Sequence, residues 1–167
     1  MKKSLLMTHQ LASKNDFIAV YDLYMDEEAN KYLTYDPMSK EDFSPIYDQL
    51  LQTDSLYIVK KDSDVVATYR LISKTDRQAH ICYLGGFTIK NNMQGRGLGK
   101  EVLSSIKKTA EEKGKKRIEL TVDLNNMPAI ALYEKMGFLV EGVVRKGCWL
   151  ASTGEYHDEY LMGLIIE

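Results

Sequence analysis

The apolar positions along the chain change their period several times. "KNDFIAVYDLYMDEEANKYL" spaces Phe17, Val20, Tyr21 and Tyr24 as one helical face, with Asp16 near its start. "SKEDFSPIYDQLLQ" predicts a second helix, capped by Ser39, with Asp42 three residues on as in a capping box. Pro45 fits best if it lies near the first turn of that helix. Then the spacing shortens. "SLYIVKK", "DVVATYRLIS" and "AHICYLGGFTI" are rich in β-branched and aromatic residues and predict three consecutive strands, the first two joined by a "KDSD" turn. The Gly85-Gly86 pair predicts a bulge or a splayed strand, because paired glycines weaken a ladder.

Helical spacing returns with Leu98, Val102, Leu103, Ile106 and Ala110, and Gly114 is placed to end that helix. "RIELTVD" alternates Ile118, Leu120 and Val122 on one face of a strand. "NNMPAIALYEKMGF" reads as a short helix with Asn126 as cap, Pro128 in the first turn and Gly137 at its end. "SLLMTHQL" opens the chain as a strand, and "FLVEGVVRKGCWL" and "EYHDEYLMGLII" close it as two more. The order β, α, α, three β, α, β, α, two β predicts a mixed α/β sheet.

Composition narrows the class of protein. The 167 residues suit one domain, 1–167. The net charge of −2 argues against a dedicated nucleic-acid binder. No apolar run approaches the roughly 18 residues that cross a bilayer, so no membrane role is expected. "MKKSLLMTHQL" lacks the apolar region and cleavage site of a signal peptide. Cys82 and Cys148 lie far apart, and His9, His80 and His157 share no ligand spacing with them, so no metal is expected. A reduced, cytoplasmic protein is the simplest reading.

The net charge hides an asymmetry. Asp16 to Asp64 holds twelve acidic and four basic residues, net −8, whereas Lys90 to Arg117 holds nine basic and three acidic, net +6. These are read either as one surface for cations and one for anions, or as two solvated faces.

The strongest chemical signal is "IKNNMQGRGLGKEVLSSI". Gly95, Gly97 and Gly99 run straight into a helix, whose N-terminal N–H groups and dipole attract an anion such as a phosphate or pyrophosphate. Glycine also permits close approach of a ligand to the backbone. A Walker loop fails here twice: Lys100 is followed by Glu101, and Gln94 stands where the first glycine belongs. A G-x-G-x-x-G fingerprint fails at Lys100 or at Val102.

"QGRGLG" matches Q/R-x-x-G-x-G/A and resembles the acetyl-CoA pyrophosphate loop of the GCN5-related N-acetyltransferases (GNAT). "LTVDLNNMPAIALYEKMGFLVEG" resembles that family's second signature, and the element order matches too, so the resemblance covers nearly the whole chain. It implies a central, mostly antiparallel twisted sheet of about seven strands with about four helices. It also implies that the backbone of Gln94, Gly95, Arg96, Gly97, Leu98 and Gly99 binds pyrophosphate. Arg96 and Lys100 are read either as added charge for it or as exposed surface. By the same likeness Phe87 and Ile89 pair their main chain with the pantetheine arm, in a slot where this strand splays from "RIELTVD". Asn126 contacts the cofactor arm, caps its helix, or does both. Tyr133 resembles the tyrosine whose hydroxyl faces the CoA sulfur. A phenol with pKa about 10 can protonate a leaving thiolate at neutral pH.

The base that deprotonates the amine is left open. Members of the family that use a carboxylate carry it on the strand before the glycine loop, and this sequence has none there. His80, placed on one strand face with Cys82, is one candidate. Glu141, His157, Asp158, Glu159 and a water chain are the others. A Cys82 nucleophile is not expected, since the resemblance implies direct transfer to the amine.

The resemblance puts the acceptor beside the two helices after the first strand. There Asp26, Glu27, Glu28 and Asp36 lie among Tyr24, Tyr32 and Tyr35, a set suited to a cationic amine, or to packing and solvation. Asp26, Glu27, Glu28 and Tyr32 are the expected acceptor-binding residues. Arg145 or Lys146 is placed to hold a substrate carboxylate. The expected activity is acetyl transfer from acetyl-CoA to a small amine, amino acids first and polyamines next. The alternatives are acetylation of peptide N-termini, notably ribosomal ones, and a non-catalytic CoA-binding module. Homodimerisation through the last strands is common in the family.

Overall fold

A computed structural model describes residues 7–167, so Ser4–Leu6 of the expected first strand lie outside the described residues. Seven strands lie in the order β1-β2-β3-β4-β5-β7-β6. They are β1 (Met7–Leu11), β2 (Leu56–Lys61), β3 (Asp64–Ser73), β4 (Ile81–Ile89), β5 (Arg117–Asp123), β6 (Leu139–Leu150) and β7 (Glu155–Ile165). Five helices accompany them: α1 (Phe17–Tyr24), α2 (Glu27–Asn30), α3 (Lys40–Leu51), α4 (Leu98–Glu112) and α5 (Met127–Lys135). β4 and β5 run parallel, whereas β1–β2, β2–β3, β5–β7 and β6–β7 are antiparallel. The chain folds as two compact units, one up to Leu71 with Gly86–Leu98, the other Ile72–Gly85 with Gly99–Glu167.

The first unit is built on aromatic side chains. Phe43 of α3 is fully buried, and the rings of Phe17, Tyr21, Tyr24, Tyr35 and Tyr47 surround it at centroid separations of 5.7 to 6.2 Å. Two expectations need correction here. The single long helix after β1 is two helices, because the Asp26 carboxylate accepts from the backbone N–H groups of Glu28 and Ala29 and starts α2 afresh. Pro45 sits six residues into α3 rather than in its first turn, so the Glu41 carbonyl receives no helical bond from it. The Ser39 cap holds: its hydroxyl accepts from Asp42 N–H at 3.1 Å.

In the second unit Ile118, Leu120 and Val122 of β5 are buried, as the alternation predicts. Both helices here end in the same way. At the end of α5, Phe138 N–H bonds the Tyr133 carbonyl and Gly137 N–H bonds the Glu134 carbonyl, while Gly137 takes φ +93°. This is a Schellman turn, closed by contact of the Tyr133 and Phe138 rings at 5.6 Å. "YEKMGF" therefore has a physical reason: it stops α5 and fixes Tyr133 in one place. Gly114 does the same for α4, with Lys115 N–H on the Ala110 carbonyl.

Candidate functional site

The glycine loop begins where β4 ends. The Gln94 side-chain amide donates to the Ile89 carbonyl at 3.1 Å, folding the chain back after a short 3-10 turn. Asn91 in that turn donates to both Asp26 carboxylate oxygens, at 2.9 and 3.0 Å. Gly95 and Gly97 have φ of +72° and +80°, with Arg96 between them outside the positive range. Such alternation turns successive N–H groups toward one concavity, a nest for an anion, continued here by the first turn of α4. Apart from the adjoining residues of the chain, no protein atom lies within 4 Å of where a Cβ would stand at either glycine. Their hydrogen side chains thus answer to backbone conformation and leave the mouth of the nest open. Arg96 and Lys100 are exposed beside it, Leu98 is buried and anchors the helix, and Phe87 and Ile89 are half-buried. The nest, the open space and the helix N-terminus fit a pyrophosphate.

Gly86 is a different kind of glycine. Its φ is +56°, and a Cβ there would stand 2.7 Å from the Tyr24 hydroxyl. The β4–β5 ladder runs only from Ile81↔Arg117 to Tyr83↔Glu119, stopping short of the glycine pair.

His80 does not lie on a strand. It is exposed in the turn before β4, at the other end of that strand from the glycine loop, and its carbonyl accepts from Lys116 N–H. Cys82 is fully buried, and burial pushes its thiol up to about 11, so it stays protonated at neutral pH. Asn126 is the α5 cap, its side-chain oxygen accepting from Ala129 N–H at 3.4 Å. Tyr133 is buried, and burial, with Tyr83 nearby, pushes its phenol far above the usual value. It is a neutral proton donor at any physiological pH.

Asp26 is committed to the α2 cap and to Asn91. Glu27 and Glu28 are exposed, Glu28 pairs with Lys31 at 3.0 Å, and Tyr32 is exposed.

The alternation of "RIELTVD" also sets the polar face of β5. Arg117, Glu119, Thr121 and Asp123 share the other face. Arg117 is bound to Glu119 and Glu141, and Lys74 to Glu119. Burial alone would raise the Glu119 carboxyl, but these two cations bring it down, and Arg117 does the same for Glu141. Further along, the Tyr83 and Thr121 hydroxyls are 2.9 Å apart. Asp123 is buried, accepts from Asn125 N–H at 2.7 Å and is paired with His157 Nδ1. Its register partner on β7 is Glu159.

Among the described residues no group of three or more His, Cys, Asp or Glu side chains is placed to hold a metal ion, and no helix is long and apolar enough to cross a membrane.

Residues 17–138 match the acetyltransferase (GNAT) family model. The chain is 30% identical over 106 residues to the L-amino acid N-acetyltransferase AaaT of Escherichia coli (62% of this chain, 64% of that protein). It is 43% identical over 61 residues to the spermine/spermidine N(1)-acetyltransferase of Bacillus subtilis (36% of this chain, 40% of that protein). The chain thus spans less than two thirds of the length of either relative. A crystal structure of spermidine N-acetyltransferase from Vibrio cholerae, in complex with CoA and spermine, superposes with a TM-score of 0.81 over 95% of both chains at 18% identity. With the family model spanning most of the sequence and the expected fold in place, the chain belongs to the GNAT acetyltransferase family.

Proposed function

We propose that this protein, as one catalytic domain, transfers the acetyl group of acetyl-CoA to a small primary amine, amino acids first and polyamines next. The observation that carries this is the nest at Gly95 and Gly97, with open space where side chains would otherwise stand. The amino-acid and polyamine acetyltransferases among its relatives support the choice of acceptor.

Acetyl-CoA supplies the thioester whose carbonyl the amine attacks. The backbone from Gln94 to Gly99 holds the pyrophosphate, with Arg96 and Lys100 adding charge. The main chain of Phe87 and Ile89 takes the pantetheine arm, and the Asn126 amide nitrogen donates to it while its oxygen caps α5. Tyr133 gives its proton to the departing sulfur. Its raised pKa keeps that proton in place until a thiolate appears. Glu27, Glu28 and Tyr32 offer exposed charge and an aromatic face to the incoming cation, while Asp26 acts one step back, by capping α2. His80 lies in the turn before β4, so the base is sought elsewhere.

Two cysteines only, Cys82 and Cys148, far apart in sequence, support a reducing, cytoplasmic setting. Leu139, Val140, Val143 and Val144, exposed along β6 at the end of the strand order, support a homodimer.

The test is release of CoA thiol from acetyl-CoA over a panel of amino acids, polyamines and short peptides with free N-termini. Turnover on one small amine is the expected result. Tight acetyl-CoA binding without turnover on any amine would replace the enzyme with a binding module.

A further inference from the structure

Four side chains of the closing strands are candidates to take the proton from the amine, and their surroundings separate them. Glu141 is bound to Arg117, which holds its carboxyl below the usual range and makes it a poor acceptor. Asp158 accepts from Lys146 N–H at 2.8 Å, where Lys146 takes φ +50° within a bulge of β6. His157 is occupied at Nδ1 by Asp123. Glu159 remains.

We propose that Glu159 is the terminal base of a proton relay that runs from the Tyr83 hydroxyl through Thr121 and deprotonates the acceptor ammonium. This rests on the acetyl-transfer reading above. Thr121 Oγ lies 2.9 Å from the Tyr83 hydroxyl, and the β5–β7 register, which sets Asp123 opposite Glu159, puts Thr121 two residues away on the same face, where it acts on the Glu159 carboxyl as a hydrogen-bond partner. An ionised carboxylate can only accept, so the single Thr121 proton points to Glu159, and Thr121 Oγ must accept from Tyr83. Every proton in the chain is therefore oriented toward Glu159. Tyr83 in turn neighbours Tyr133.

The carboxylate has a built seat. A Cβ at Gly147 would stand 2.6 Å from Glu159 Oε2, so glycine at this point of β6 leaves it room. Asp123 faces it from β5, paired with His157 Nδ1 and accepting from Asn125 N–H. Burial first, and Asp123 second, raise the Glu159 carboxyl above its usual value, while Thr121 works against them.

The step balances. One ammonium proton passes to Tyr83 Oη as the Tyr83 proton passes to Thr121 Oγ and the Thr121 proton to Glu159. The nitrogen lone pair then attacks the thioester carbon, the C–S bond breaks, the sulfur takes the Tyr133 proton, and the second proton, shed by the acylated nitrogen, returns Tyr133 to the phenol. Glu159 afterwards releases its proton to solvent.

Two measurements test this. The Glu159 carboxyl, titrated by carbon NMR in the whole protein, is expected above the ordinary glutamate range, and Thr121→Val should raise it further. Rates are then compared with the amine that the wild type turns over. At pH 7 Glu159→Gln should lower kcat/KM by roughly 10²-fold. The defect should shrink as the pH nears about 10, where an alkyl ammonium loses its proton unaided. Tyr83→Phe should give the same loss, and the double variant no more than either single. Gly147→Ala, which crowds the carboxylate without removing it, should also slow the reaction. A Glu159 carboxyl indifferent to Thr121→Val overturns the relay. So does a Glu159→Gln protein that binds acetyl-CoA normally and keeps its rate within about twofold at all pH values, or losses that multiply in the double variant. A wild type silent on every amine overturns the acetyl-transfer reading itself and the relay's catalytic role with it, so the two failures look different.

Discussion

The acidic stretch from Asp16 to Asp64 and the strands around Asp123 and Glu159 use their carboxylates in opposite ways. In the first region each paired carboxylate has a partner close in sequence, although Asp16 also pairs with Lys60 at 3.5 Å and Asp26 also accepts from Asn91. Asp16 bonds Ser13, Asp26 bonds the N–H groups of Glu28 and Ala29, Asp42 bonds Ser39, and Glu28 pairs with Lys31. In the second the partners are distant along the chain: Glu119 with Lys74, Glu141 with Arg117, Asp123 with His157. Local pairs start helices, and of these carboxylates only Asp16 is buried. Distant pairs form through the strand order, where Lys74 and Arg117 outweigh burial to lower the Glu119 carboxyl and Arg117 lowers that of Glu141. A dense acidic run thus marks helix starts, and the sparser carboxylates are those to which the proposed relay gives chemistry.

The comparison can be broken, beginning with the largest effect. Phe43→Ala removes the ring at the centre of the first unit and should cost about 3–5 kcal/mol in denaturant unfolding. A much smaller loss would mean that the aromatic set is not what holds that region. Tyr133→Phe keeps the Schellman contact and removes only the proton, so kcat should fall by about 10²-fold with acetyl-CoA affinity unchanged. An unchanged kcat would deny Tyr133 its acid role. Asp26→Ala should cost about 1 kcal/mol of stability through loss of the cap, with the KM for the amine unaltered. A tenfold rise in KM instead would make Asp26 an acceptor ligand and erase the contrast between the regions.

The smallest effect has the most informative sign. A carboxyl whose pKa is raised by folding binds its proton more tightly in the native state, so it favours folding at low pH and loses that contribution as the pH rises through the folded value. Glu159→Gln should therefore raise the Tm slightly at neutral pH and leave it unchanged or lower in acid. A protein that is more stable and slower is the signature of a site maintained at a cost to the fold. A lower Tm at neutral pH would instead make Glu159 a structural residue.

Much of this was legible in residues whose meaning is local. Ser39, Asn126, Gly114 and Gly137 cap or end helices through bonds spanning a few residues, and the chain states them directly. The glycine loop was legible for the same reason, although Gly95 and Gly97 serve φ first and ligand approach second. Asp26 misled, because a carboxylate among tyrosines suits a cation and a helix start equally well. His80 misled because a strand boundary one residue later moves a side chain from a sheet into a turn. The polar face of β5 was half legible: the alternation that buries Ile118, Leu120 and Val122 also aligns Arg117, Glu119, Thr121 and Asp123. Their partners, from Lys74 to His157, depend on strand order and register, which no short stretch of sequence encodes.

Gly86 and Gly97 both hold positive φ, yet they differ as experimental handles. Alanine at Gly86 would collide with the Tyr24 hydroxyl, so its effects in a living cell would mix misfolding with lost activity. Alanine at Gly97 meets empty space and carries only the backbone penalty of about 1–2 kcal/mol. On the proposed pyrophosphate role, Gly97→Ala is therefore the replacement from which to build a folded but inactive allele. A growth or metabolite phenotype from that allele would report the missing product itself, and its amine precursor would accumulate beside it.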